Sequence, residues 1–457
     1  MHWAGFCGKR PVVPSSPLPR AHSAARRSVD SPRNTARVVA RGGVIIVVEV
    51  VPAGQAALPA RRPRGALDPV IRLAGLLEAM AASGSPAIDE LSFRKAVEAL
   101  APASRSAMAS DLACFSEFCD ATLRIAMPAV PATIVAYIDH LEQLEIGPTK
   151  SLIKPATIVR RLGSISSAHA LMDLPSPTKA SIVTNSMKGL KKRRTVAQRQ
   201  AVGVRFGDSE APAPAGLTFS AMLIACGGDV QGLRDAALLS LGYDAGLRVS
   251  ELLAVRVEHI EAEADGTGLL SISRAKTDQE GEGAYAWVSA DSMRRIAAWL
   301  NAAAIVAGFI FRRVGIERRV AVAARPARSV SDLAPNAHID WRRMHAQNAQ
   351  PARVRYAIGT VSLTRKGVNL IYRRMAMRAA ALGLVNLSGD ELQAALSRLS
   401  THSLRVGLTQ DLFAAGEDVG QICQALRWQS TGTALRYARK LAPRDNAAAR
   451  VVGKLRS

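Results

Sequence analysis

The chain has 457 residues, 48% of them hydrophobic, and a formal net charge of +23 from 60 lysines and arginines against 37 aspartates and glutamates. That length predicts two or three domains, and the apolar content is ample for packed cores. The basic surplus favours a polyanionic partner, because each phosphate neutralised releases counterions. The most apolar run, Val44 to Val51, falls well short of the ~20 residues that a membrane-spanning helix needs. It also begins too far into the chain to be the core of an ordinary secretory signal. The five cysteines form no Cys-x-x-Cys pair and no Cys/His cluster with zinc spacing, so no metal is expected. Their scattered placement fits a reducing compartment, and the expected location is cytoplasmic, on the nucleoid.

Residues 1–84 are dominated by Arg, Pro, Ala, Ser and Val and show no sustained helical period. They are read as a disordered basic tail, with Met80 as a natural alternative start; the functional reading is a DNA-tethering arm. Residues 85–195 turn helical. Apolar residues recur three and four apart in Phe93, Val97 and Leu100, then in Leu112, Phe115, Phe118 and Cys119. Ile134, Tyr137, Ile138 and Leu141 repeat the pattern, as do Ile158, Leu162, Ile165 and His169. Such spacing predicts amphipathic helices, here a bundle of four or five. His169 sits on an apolar face and is expected to be packed rather than a ligand. At the end of the bundle lie Lys188, Lys191, Lys192, Arg193 and Arg194. They form either a solvated face or a set of phosphate contacts.

Residues 196–216 read as a linker that ends in Ala-Pro-Ala-Pro-Ala-Gly. The remainder, 217–457, reads as mainly α with one small antiparallel β-sheet. Its clearest strands are Leu269–Ser273 and Ala284–Val288, joined by a loop that carries Lys276. Gly308–Phe311 is strand-like, and 313–360 has many arginines and no clear period.

The chemistry-bearing residues are few and ordered. Arg248 and Glu251 follow a glycine turn. Lys276 lies in the hairpin. His402 and Arg405 are three apart and share a helix face, and Trp428 precedes Tyr437 by nine positions. A phosphodiester repels nucleophiles, and its transition state gathers further charge on the non-bridging oxygens. Catalysis therefore needs rigid cationic donors, an activated nucleophile and an acid for the leaving oxygen. Arginine suits the first task, since its planar fork grips two oxygens and stays charged. A lone His-x-x-Arg or Arg-x-x-Glu says little; the weight lies in the order of the whole set.

This set resembles the catalytic signature of the tyrosine recombinase (phage integrase) family over roughly residues 90–457. Tryptophan at 428, where most members carry histidine, is the pattern of its Cre-like branch. The resemblance implies a two-domain fold, with a helical core-binding domain at 85–195 and an integrase-type catalytic domain at 217–457. It also implies that Tyr437 attacks a DNA phosphate to leave a 3′-phosphotyrosine. Arg248 and Arg405 would hold that phosphate, His402 would act as acid/base, and Glu251 would orient its neighbours, including the His402 side. Trp428 would donate its indole N–H, and Lys276 would protonate the 5′ oxygen. No cofactor, metal or ATP is implied. The implied partner is double-stranded DNA, bound by a homo-tetramer on paired sites that assembles through the C-terminal helix, with no membrane. Two other readings share features of the set: a type IB topoisomerase, and a DNA-binding regulator or decayed integrase without activity.

Overall fold

The computed structural model describes residues 35–41, 44–54, 69–81, 89–147, 151–194, 201–207, 216–272, 283–333, 338, 341–438, 451–452 and 455–456. The chain divides into two compact units, one formed by residues 60–200 and the other by 1–59 with 201–457.

The first unit is a helical bundle of α1 (Pro69–Met80), α2 (Glu90–Glu98), α3 (Pro102–Ala121), α4 (Pro131–Gln143), α5 (Pro155–Leu171) and α6 (Ser181–Arg193). A two-stranded ribbon, β3 (Glu145–Ile146) with β4 (Ser151–Leu152), joins α4 to α5. Proline occupies the first turn of α3, α4 and α5, where its fixed φ suits the helix and its missing N–H would have had no partner. Asp89 caps α2 by accepting from the Ser92 amide at 3.0 Å. The four apolar stripes meet in one core around Val97, Leu112, Phe115, Ile134, Ile138, Ile158 and Ile165. His169 is buried there, with Nδ1 2.9 Å from the Ile165 carbonyl and Nε2 accepting the Ala129 amide at 3.0 Å.

The same core corrects the reading of residues 1–84 as a tail. Val70, Leu73, Leu77 and Met80 form the buried stripe of α1, with Leu73 and Leu77 fully buried. Burying each of those leucines contributes about 1.5–3 kcal/mol. Met80 is thus the last residue of a core helix, not a clean boundary. The stripe spans only three turns, too short to stand out of a composition dominated by Arg, Pro and Ala.

The second unit begins with the antiparallel pair β1 (Thr35–Arg41) and β2 (Val44–Val51). It continues with α7 (Phe219–Ile224), α8 (Val230–Asp244) and α9 (Val249–Ala254). A three-stranded antiparallel sheet follows, from β5 (Ile260–Ala262), β6 (Gly268–Ile272) and β7 (Ala284–Val288). Then come α10 (Ala290–Ala303), β8 (Arg312–Arg319), α11 (Trp341–Met344), β9 (Ala352–Ser362), α12 (Arg365–Ala381) and α13 (Gly389–Arg398). The unit ends in α14 (Ser403–Ala414), α15 (Val419–Ala425) and α16 (Thr431–Ala438). The hub is α8, which is buried on nearly every face and therefore reads as continuous apolar sequence.

The expected hairpin is present as β6 and β7. A second sheet, ordered β1-β2-β9-β8, was not legible. Its strands β8 and β9 fall in the Arg-rich 313–360 segment, and β2 pairs in parallel with β9, from Ile46↔Ala352 to Val51↔Ala357. The buried face of β9 is supplied by Tyr356 and Ile358, too few apolar positions to outweigh Arg353 and Arg355 beside them. Gly308–Phe311 forms no strand; Phe309 makes an isolated bridge to Arg256.

Candidate active site

The turn after α8 sets the first corner of the site. Gly246 has φ +51°, and a Cβ there would lie 2.4 Å from Leu426. The left-handed φ favours glycine, and a side chain there would press on the buried Leu426. Two residues on, Arg248 caps α9, and Glu251 in the first turn accepts from it twice. The Arg248 amide bonds one carboxylate oxygen at 2.9 Å and its guanidinium the other at 2.7 Å. Glu251 is buried and also lies 3.7 Å from Arg427. It thus orients two arginines. It also acts electrostatically on His402.

Arg405, in the first turn of α14, is 1% exposed. Its two terminal nitrogens donate to the carbonyls of Gly246 and Leu426, while its Nε has no hydrogen-bond partner. The guanidinium carbon lies 5.1 Å from the centre of the Trp428 ring. Trp428 in turn stacks on Tyr437, with centroids 5.3 Å apart and planes within 10°. Trp428 therefore stands between the Arg405 guanidinium and the Tyr437 ring. His402, the N-cap residue of α14, places Nε2 2.7 Å from the Tyr437 hydroxyl.

The electrostatics follow from crowding. Arg248 and Arg427 share the single carboxylate of Glu251, and Arg405 lies within its electrostatic reach. Burial, with Arg248 beside it, pushes the Arg405 guanidinium down to about 9. Burial, then Arg405, Arg248 and Arg365, pushes His402 down to about 4. The imidazole is consequently neutral at physiological pH. With its proton on Nδ1, it accepts the Tyr437 hydroxyl proton through Nε2. A cluster of cations short of negative charge, with a base on a phenol at its edge, is equipped to take a phosphate and attack it.

Of the residues singled out in the sequence, Arg248, Glu251, His402, Arg405, Trp428 and Tyr437 meet here. Lys276 lies outside the described residues. In the helical unit, Lys188, Lys191 and Lys192 are exposed along α6. Arg193 is exposed as well, and Arg194 is half-buried. Arg193 pairs with Glu142 at 2.7 Å, and Arg194 bonds the carbonyls of Glu142 and Ile153. The sequence reading gave no role to Arg427 or Arg365. Arg427 sits at φ +55°, a left-handed turn that brings it back over Ala245, whose carbonyl it bonds at 2.9 Å. Arg365 opens α12 and acts on His402 across the fold. Only the proximity of Arg427 to Trp428 could have flagged it, and nothing local flags Arg365.

Residues 219–444 match the Phage integrase family model. The chain is 24% identical over 344 residues to Recombinase cre of Escherichia phage P1, covering 74% of this chain and 84% of that protein. It is 28% identical over 220 residues to the integrase/recombinase xerD homolog of Selenomonas ruminantium, covering 46% and 58%. Among solved structures, it aligns with the XerH site-specific recombinase bound to palindromic difH substrate at 13% identity and a TM-score of 0.42, covering 82% and 94%.

Proposed function

We propose that the chain, which matches the Phage integrase family model over residues 219–444, is a site-specific DNA recombinase that cleaves and rejoins duplex DNA through Tyr437. The observation that carries this reading is the 2.7 Å contact of Tyr437 with a neutral His402, beside the buried Arg405 and two arginines, Arg248 and Arg427, that share the Glu251 carboxylate. In the forward step the Tyr437 oxygen forms a bond to phosphorus and its proton passes to His402. The bond from phosphorus to the 5′ oxygen breaks, and that oxygen takes a proton from Lys276. Arg248 and Arg405 neutralise the charge gathering on the non-bridging oxygens, and Trp428 adds an indole donor. The 3′-phosphotyrosine retains the ester, so a 5′ hydroxyl from a partner strand reverses the step without a nucleotide. Exchange between two duplexes requires paired sites, which fits a homo-tetramer joined through the C-terminal residues. The exposed Lys188, Lys191 and Lys192 contribute phosphate contacts from the helical unit.

The test is covalent trapping on nicked duplex DNA taken from the sequences flanking its gene. The full chain should yield a protein–DNA adduct on a denaturing gel. Tyr437→Phe should bind the same DNA and yield none. An adduct from Tyr437→Phe would remove the assignment. Relaxation of supercoiled plasmid without paired sites would favour a topoisomerase instead.

A further inference from the structure

Residues 202–206, the first described stretch after the chain leaves α6, lie along α14, the helix that begins immediately after His402 and carries Arg405. The Val202 amide donates to the Arg398 carbonyl at 3.3 Å, and the Val204 amide donates to the Ser403 carbonyl at 3.0 Å. Val204 is fully buried. The contact is backbone against backbone: a Cβ on Gly407 would stand 1.8 Å from the Val204 carbonyl oxygen. A Cβ on Gly203 would stand 2.2 Å from the Gln410 side chain. One turn beyond Gly407, Asp411 closes the stretch. Its carboxylate pairs with the Arg205 guanidinium, accepts the Phe206 amide at 2.7 Å and accepts the Tyr243 hydroxyl. Phe206 then packs on Phe219 and Tyr243, at ring centroids of 5.5 and 5.9 Å. A carboxylate that receives three donors from two segments is a fastening, and it binds this stretch to one face of α14.

We propose that residues 202–206 are a strap that holds α14 in place, and through it His402 and Arg405, with Asp411 as its clasp and Gly407 as the gap that admits it. Asp411 is thus a positioning residue. The strap touches α14 at Ser403, one residue from His402, and at Asp411, six residues beyond Arg405. Loosening either end frees the first turn of the helix to shift, and with it the burial of His402. The groups facing His402 are Arg405 on α14, Arg248 and Glu251 at α9, Arg365 at α12 and Tyr437 on α16. None of these is removed by a change at Asp411. A moved His402 titration would therefore report a displaced helix and not a lost charge next to it.

The inference rests on the site assigned above, and its test needs no DNA, so it fails or stands apart from the recombinase reading. The full chain is labelled with 13C-histidine, and His402→Gln identifies the His402 signal among the eight histidines. In the parent, His402 should remain neutral at about pH 6. Asp411→Asn keeps the size of the clasp but loses its charge. It should raise the His402 midpoint by about one unit or more, and Asp411→Glu should restore most of the parent value. Gly407→Ala should move the midpoint in the same direction. If it does not fold, Asp411→Asn alone decides. A His402 midpoint unchanged in Asp411→Asn, with only a lower melting temperature, would reduce the strap to ordinary packing and overturn the proposal.

Discussion

Nε2 of His402 lies 2.7 Å from the Tyr437 hydroxyl, although the two residues come from the N-cap of one helix and the last turn of another. The histidine is held neutral, so the pair is a base with its acid already in contact. Protonation of His402 would remove the acceptor. Cleavage should therefore persist as pH falls through 6.5, where an ordinary histidine charges, and decline only toward about 4. The linkage has a definite sign. His402 binds its proton less readily folded than unfolded, so its contribution to stability is complete above 6.5 and is lost progressively down to about 4. A pH–rate profile of single-turnover cleavage checks this, and an acid limb centred near 6.5 would contradict it.

Arg405→Lys should reduce cleavage by about 10²–10³-fold while changing DNA affinity little. Lysine keeps a charge but cannot reproduce a fork that bonds the Gly246 and Leu426 carbonyls while turning its remaining donors elsewhere. Affinity and single-turnover rate, measured on the same DNA, separate the two effects. Equal losses in both would make Arg405 a plain phosphate contact.

Glu251→Ala strips Arg248 and Arg427 of the carboxylate they share. Breaking a buried ion pair from one side typically costs about 3–5 kcal/mol, and the melting temperature should fall accordingly. Duplex DNA should raise the melting temperature of this variant more than that of the parent, because a phosphate supplies the missing negative charge. Equal DNA-induced shifts in both proteins would argue against a phosphate seat beside Glu251.

Lys276→Ala should lose cleavage on ordinary DNA and regain it on a substrate whose bridging 5′ oxygen is sulfur. Sulfur leaves as a thiolate without a proton donor. Arg248→Ala should show no such rescue, since its task is the non-bridging charge. Equal defects of Lys276→Ala on both substrates would take the lysine out of the acid role.

A chain beginning at Met80 would lack the strands β1 and β2 and all but the last residue of α1. Composition alone suggests that it folds; the burial of Leu73 and Leu77 predicts that it does not melt cooperatively. As a milder form of the same test, Leu73→Ala should cost about 2–5 kcal/mol of stability. A cooperative melt at the parent temperature from the shortened chain would show that α1 is dispensable.

Sequence alone determined those parts of this protein that a local pattern can carry. The helices of the bundle were legible because their apolar stripes repeat every three to four residues over several turns. The hairpin of β6 and β7 was legible because its strands alternate on either side of a polar loop. His402, Arg405, Trp428 and Tyr437 were legible because their order and spacing resemble the signature of the tyrosine recombinase family. Tertiary structure decided the rest, because those features depend on partners far away in the chain. The place of β2 is set by β9, some 300 residues later. Arg427 reaches Glu251 only through a left-handed turn, and Arg365 reaches His402 only because α12 packs nearby. Gly407 is a glycine because another segment's carbonyl passes where its side chain would be. The histidine was visible in the sequence, but its neutrality was not: that comes from burial and from three arginines gathered from three separate elements.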